Sequence, residues 1–154
     1  MNPMKQLTKA GIFSLILSIS GSWTFAEDKI EIDDLKEKMS ALAKKLPTAS
    51  DKKIVFEKDI KPLLEKSCYG CHGDKKRPKG KFRIDNREKA LKGGSEGVAI
   101  VSGKSAKSSL MYYITDMINE YEMPPLEKRE KYPKLTKKQI GLVRAWIDQD
   151  LKFD

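Results

Sequence analysis

Two cysteines, one histidine and six methionines are the sulfur and imidazole ligands available in this 154-residue chain. Both cysteines and the histidine fall within five residues, Cys68-Tyr69-Gly70-Cys71-His72. On a helical turn, residues three and four apart share a face. Cys68 and Cys71 can then each add a thiol across one haem vinyl group while His72 points at the iron, which is the attachment chemistry of a c-type haem. The competing uses of a Cys-x-x-Cys pair fit less well. Structural zinc wants four nitrogen or sulfur ligands, and a dithiol redox motif wants a βαβ context. Neither is supplied by the chain. One covalent haem c, with its iron, is the cofactor this spacing predicts.

A single histidine rules out bis-histidine ligation within the chain, so the second axial ligand is sought among the methionines. Met1 and Met4 lie in the leader described below, and Met39 lies on an N-terminal helical stripe. Met111 and Met117 sit in a helical pattern, where methionine usually fills a core. Met123 precedes Pro124 and Pro125, in a loop stiff enough to hold its sulfur in place. The expected iron ligands are therefore His72 and Met123, with Met117 in reserve. A thioether is a soft ligand that favours reduced iron and raises the potential. The other ring N–H of His72 needs an acceptor, for which the Pro78 carbonyl is the candidate. Arg83 or Lys79 is a candidate partner for a haem propionate.

Charge and leader set the compartment. Lys5 and Lys9 precede an apolar run from Ala10 to Ile19 that Ser14 and Ser18 interrupt, and Thr24-Phe25-Ala26 ends in a small residue. This pattern is a secretory signal peptide over 1–26, cleaved after Ala26. The apolar run falls short of the roughly 20 residues of a membrane span, so a membrane is involved only if the leader is retained. Periplasmic or otherwise exported placement agrees with haem attachment outside the cytoplasm, and paired thiols there would otherwise oxidise. The formal net charge is +9, and loss of 1–26 removes two lysines and no acid. A basic surface can steer an acidic-faced redox partner. Nucleic acid is not expected, because no basic stripe is interleaved with aromatics. A monomer is the expected state.

The elements that position these residues read as helices. Ile32, Leu35, Met39, Leu42 and Leu46 alternate at spacings of three and four, a helical stripe that Pro47 ends. It is too short for a coiled coil and is expected to pack on the domain or form a stalk. Phe56, Ile60, Leu63 and Leu64 give a helix leading into Cys68, starting near Asp59 or bending at Pro62. Phe82-Arg83-Ile84 and Val98-Ala99-Ile100-Val101 alternate or run apolar like a small β-hairpin. Ser108 or Ser109 caps a helix with Leu110, Ile114, Met117 and Ile118 on one face. Thr136 with Gln139 makes a capping box for a last helix whose face is Ile140, Val143, Trp146, Ile147 and Leu151. Gly141, costly in a helix interior, marks close approach of another helix. The organisation predicted is a leader (1–26), an amphipathic helix and linker (27–53) and a haem domain (54–154).

Taken together, residues 54–151 resemble the planctomycete-type cytochrome c domain, a variant of the class I cytochrome c fold. The resemblance is carried by Phe56 to Leu64, the Cys68–Gly73 motif, Pro78-Lys79-Gly80 and Arg83-Ile84-Asp85. Ala90 to Gly94, Met123-Pro124-Pro125 and the terminal Ile140, Val143, Trp146 and Ile147 complete it. Phe82 and Ile84 stand where the family tends to have leucine, and Ser102 where proline is common. The resemblance implies an all-α, class I cytochrome c-like fold whose first and last helices cross beside the haem, with methionine donating the distal sulfur. It also implies an electron-transfer protein rather than a catalyst. The leading expectation is a soluble mono-haem electron carrier. The alternatives are a haem-bearing subunit docked to a larger oxidoreductase through the 27–50 helix, and a peroxidase or gas sensor in which Met123 dissociates.

Overall fold

The computed structural model describes residues 37–154. The expected leader over 1–26, with Met1 and Met4, and the Ile32 and Leu35 positions of the first stripe lie outside the described residues. Helix α1 occupies 37–44. A π-helical turn, Phe56–Ile60, runs directly into α2 (Lys61–Ser67), and α3 (Tyr69–His72) follows after a break at Cys68. Then come α4 (Arg87–Lys92), α5 (Ser109–Ile114) and α6 (Lys137–Asp148), with 3₁₀ turns at Lys79–Lys81, Ser105–Lys107 and Leu126–Lys128. The fold is mainly α, as expected.

The helix leading to Cys68 resolves the Pro62 question by splitting. Proline lacks an N–H and is tolerated in a first turn, and Pro62 sits in the first turn of α2. The preceding turn is closed instead by Asp59, whose carboxylate accepts the Val55 N–H at 2.9 Å.

The β-hairpin is not formed. Among the described residues the pairing is limited to one antiparallel bridge between Gly94 and Gly97. Segments 82–84 and 98–101 are used separately: Ile84 N–H donates to the His72 carbonyl at 2.9 Å, and the Ala99 carbonyl accepts from Leu110 N–H at 3.1 Å. Each segment thus finds its backbone partner on the helical frame rather than on the other segment. The helix after Ser108 is also shorter than its apolar pattern. It ends at Ile114, and Met117 and Ile118 reach the core from the loop beyond it.

Helix α6 organises the core. Its capping box is present, with Thr136 Oγ1 accepting from Gln139 N–H and the Gln139 side chain accepting from Thr136 N–H at 2.8 Å. Such a cap is worth about 1 kcal/mol. Burial is the larger effect: Ile140, Val143, Trp146 and Ile147 are each at most 3% exposed, and each such side chain contributes about 1.5–3 kcal/mol. Trp146 packs against Phe56 at 5.6 Å and Phe153 at 5.2 Å between ring centroids. Its indole N–H donates to the Lys152 carbonyl at 2.6 Å. The π-helical turn ahead of α2 therefore packs against α6, as do α5 and the Ser105–Lys107 turn.

Gly141 does admit a close approach, but of an irregular segment rather than a helix. A Cβ there would lie 2.6 Å from the Thr48 carbonyl oxygen, and Ser50 N–H donates to the Gly141 carbonyl at 3.0 Å. Arg144 reinforces the contact by donating to the Pro47 carbonyl at 2.8 Å. Leu46 is buried beside them, while Met39 on α1 is exposed. The end of the first stripe, not its whole face, packs on the domain.

Candidate functional site

The Cys68–His72 turn is built by one carbonyl. Cys68 N–H closes α2 on Leu64 at 2.7 Å, and the Cys68 carbonyl then accepts from both Cys71 N–H at 3.0 Å and His72 N–H at 2.8 Å. This tight turn brings Cys68, Cys71 and His72 onto one wall of a cavity of about 300 Å³. Both cysteines are free and half-buried. Burial, with Cys71 adding to it, pushes the Cys68 thiol up to about 12, so it is protonated at neutral pH.

His72 is oriented from behind. Its Nδ1 lies 3.4 Å from the Phe82 carbonyl oxygen, and the Phe82 ring meets the imidazole edge-on at 5.5 Å. Pro78, the expected acceptor, instead takes the Lys81 N–H at 3.1 Å. The chain turns at Gly80 and Lys81, both at positive φ, which brings Phe82 back to the imidazole. Burial lowers the His72 pKa, partly offset by the Phe82 and Lys79 carbonyls. The neutral ring with its proton on Nδ1 leaves Nε2 as the donor atom, the usual state of a metal-bound histidine.

Tyr132 supports the same turn. Its ring lies against Gly70, where an added Cβ would collide with it. Ser67 Oγ donates to the neighbouring Pro133 carbonyl at 2.7 Å. Gly70 is the gap that admits this ring. The Cys-x-x-Cys-His spacing leaves its middle positions free, and a contact over 60 residues away has no local signal.

Met123 lines the same cavity. Of the described methionines, Met111 is buried in the core, Met117 packs beside it and Met39 is exposed; none of these three lines the cavity. Met123 N–H donates to the Tyr113 carbonyl at 3.0 Å, just inside the end of α5. The Met123–Pro124 peptide is cis, and Tyr113 stacks on Tyr121 at 5.2 Å. Arg129 holds the loop from outside: its Nε donates to the Pro124 carbonyl at 3.0 Å and its Nη2 to Asp116 at 2.6 Å. Lys134 donates to the other Asp116 oxygen. Burial would raise the Asp116 pKa, but the hydrogen bonds from Arg129 and Lys134 outweigh it and hold it below the usual range. Asp116 and Arg129 did not stand out in the sequence, because charged residues are frequent throughout it.

Arg83 is engaged by two carboxylates. It makes a two-bond contact with Asp85 and a third bond to Asp74 at 2.8 Å. Lys79 remains exposed. A second recess of about 370 Å³, lined by Lys81, Arg83, Lys89 and Lys92 with the backbone at Gly93 and Gly94, shares Gly94 with the main cavity.

These features fit a haem. The donor set is two thiols, one imidazole and one thioether, all facing a single cavity whose other walls include Phe82, Ile84, Leu110, Ile114 and Leu135. Such an apolar lining with few convergent polar groups is usual for a cofactor site. Among the described residues, no group of three or more His, Cys, Asp or Glu could hold a metal ion directly. A helical frame around a cavity with this donor set is compatible with a c-type cytochrome domain. Residues 68–127 match the planctomycete cytochrome C family, and this match supports a planctomycete-type cytochrome c domain over that stretch. The match begins at Cys68 and includes Met123, while α2 and α6 lie outside it. A cytochrome c domain implies a haem-binding, electron-transferring protein with covalent haem c. No curated protein and no solved structure matches the chain.

Proposed function

We propose that the protein is an exported mono-haem c-type cytochrome that acts as a soluble electron carrier, with haem c held by Cys68 and Cys71 and its iron ligated by His72 and Met123. The observation that carries this reading is the convergence of those four side chains on one cavity. Bound there, haem c would supply a reversible one-electron Fe(III)/Fe(II) couple. The chain's own part is to fix that group and keep water from it. His72 is aimed by the Phe82 carbonyl, Met123 is tethered to Tyr113, and the aliphatic walls give a low-dielectric surround that disfavours the more highly charged oxidised state. With both axial positions taken by protein, no site is left for a substrate, so the protein transfers electrons and does not catalyse a reaction at the iron.

Export follows from the 1–26 sequence and from the chemistry of haem attachment. Among the described residues no helix is long and apolar enough to cross a membrane. The redox partner is proposed to present an acidic face. Lys81, Lys89 and Lys92 border the haem cavity through the recess that shares Gly94. Their field would raise the encounter rate at low salt and lose this effect as the Debye length shortens.

Met123→Ala tests the ligation. The variant should keep its covalent haem, show a lower reduction potential and bind carbon monoxide in the ferrous form. A variant that refuses carbon monoxide and keeps its potential would remove Met123 as the axial ligand.

A further inference from the structure

The loop bearing Met123 has few backbone ties near the sulfur. Pro124 and Pro125 contribute no N–H, and among the described residues Met123 is tied through its N–H to the Tyr113 carbonyl. The next carbonyl along, that of Pro124, is held by a side chain: Arg129 Nε, at 3.0 Å. The same guanidinium is fixed by Asp116 at 2.6 Å. Asp116 in turn sits two residues past the end of α5, in a left-handed turn at φ 58°, and takes a second cation, Lys134. The planar guanidinium thus ties the end of α5 to the residue that follows Met123.

We propose that the Asp116–Arg129 pair is a positioning clasp for the Met123 sulfur, setting how readily the sixth position of the iron opens to an outside ligand. This rests on the axial role proposed for Met123. The energetics favour a local effect over a global one. Asp116 and Arg129 are each 23% exposed, so solvent still screens the pair and limits its share of overall stability. Their geometric effect is concentrated one residue from the sulfur, where a small displacement decides whether a bond to the iron is kept. A lysine cannot reproduce two fixed N–H directions, so it cannot hold Asp116 and the Pro124 carbonyl together in the same way.

The test uses the full haem-loaded protein and its Arg129→Gln, Asp116→Asn, Arg129→Lys and Met123→Ala variants. Imidazole is titrated against the ferric form and melting is followed in parallel. Arg129→Gln and Asp116→Asn should each bind imidazole at least tenfold more tightly than the unaltered protein, with melting shifted by only a few degrees. Arg129→Lys should fall between, and it serves in place of Arg129→Gln if that variant does not mature. If Met123→Ala gains imidazole affinity but the clasp variants do not, the inference fails and the axial methionine stands. If the clasp variants gain affinity only with a large fall in melting temperature, the pair is a general stabiliser and the inference also fails. If Met123→Ala itself gains no affinity, the ligation reading falls and takes the clasp with it.

Discussion

Gly70→Ala places a methyl group on the inner turn of the haem-attachment motif, and its effect can be worked out from the one ring that lies there. Gly70 is inside α3, where alanine is intrinsically better than glycine by about 1 kcal/mol. Without an obstacle the change would therefore stabilise. The Tyr132 ring is the obstacle, since the new Cβ would collide with it. Tyr132 is not free to withdraw, because its N–H is bonded to Lys128 at 2.8 Å and the next carbonyl, Pro133, accepts from Ser67 Oγ at 2.7 Å. Forcing a methyl into such a contact costs about 1–3 kcal/mol. The net expectation runs from near neutral to about 2 kcal/mol of destabilisation. Removing the ring should reverse the sign: in a Tyr132→Ala background, Gly70→Ala should stabilise by up to about 1 kcal/mol. The coupling in the double-mutant cycle is then about 1–3 kcal/mol. Denaturant unfolding of the four haem-loaded proteins measures it. Additivity within about 0.5 kcal/mol, or a stabilising single Gly70→Ala, would refute the packing argument.

Two other outcomes follow from the same kind of reasoning. Gly141→Ala, a change that normally strengthens a helix, should lower the melting temperature here, because the added Cβ would lie 2.6 Å from the Thr48 carbonyl; a higher melting temperature would show that the 47–50 segment does not pack on α6. Asp59, Asp85 and Asp116 all have pKa values below the usual range, through Lys52, through Arg83, and through Arg129 with Lys134 against burial, respectively. Carboxyls depressed in the folded state contribute stability above their unfolded pKa of about 3.9 and lose it as pH falls through the folded values. Unfolding stability should therefore decline below about pH 4, and Asp116→Asn should make that decline shallower in an acid-unfolding titration. An unchanged acid limb would mean that the Asp116 network does not survive in solution.

The four proposed haem-binding residues could be read from the chain because their chemistry is scarce in it. One histidine leaves one imidazole ligand, two cysteines three apart leave one attachment turn, and a methionine before two prolines stands apart from methionines in helical patterns. The last helix was equally legible, since the capping box at Thr136 and Gln139 and the spacing of Ile140, Val143, Trp146 and Ile147 are local. What misled was also local: Phe82–Ile84 and Val98–Val101 carry strand-like patterns, but each is consumed by a separate contact with a helix. A pattern of alternation records which side chains are covered, not which backbone covers them.

The sequence by itself determined the chemistry of this protein: which sulfurs and which imidazole exist, and how far apart they lie on a helical turn. Only the tertiary structure decided what holds them. The Phe82 carbonyl replaced that of Pro78 behind His72, Tyr132 filled the space left by Gly70, and Arg129 reached from 3₁₀ turn to loop to fix the Pro124 carbonyl beside Met123. The physical reason is separation along the chain. A ligand's identity and a helix's periodicity are properties of neighbouring residues. The packing and hydrogen bonds that aim a ligand join segments as much as 66 residues apart, and they form only once the helices have brought those segments together.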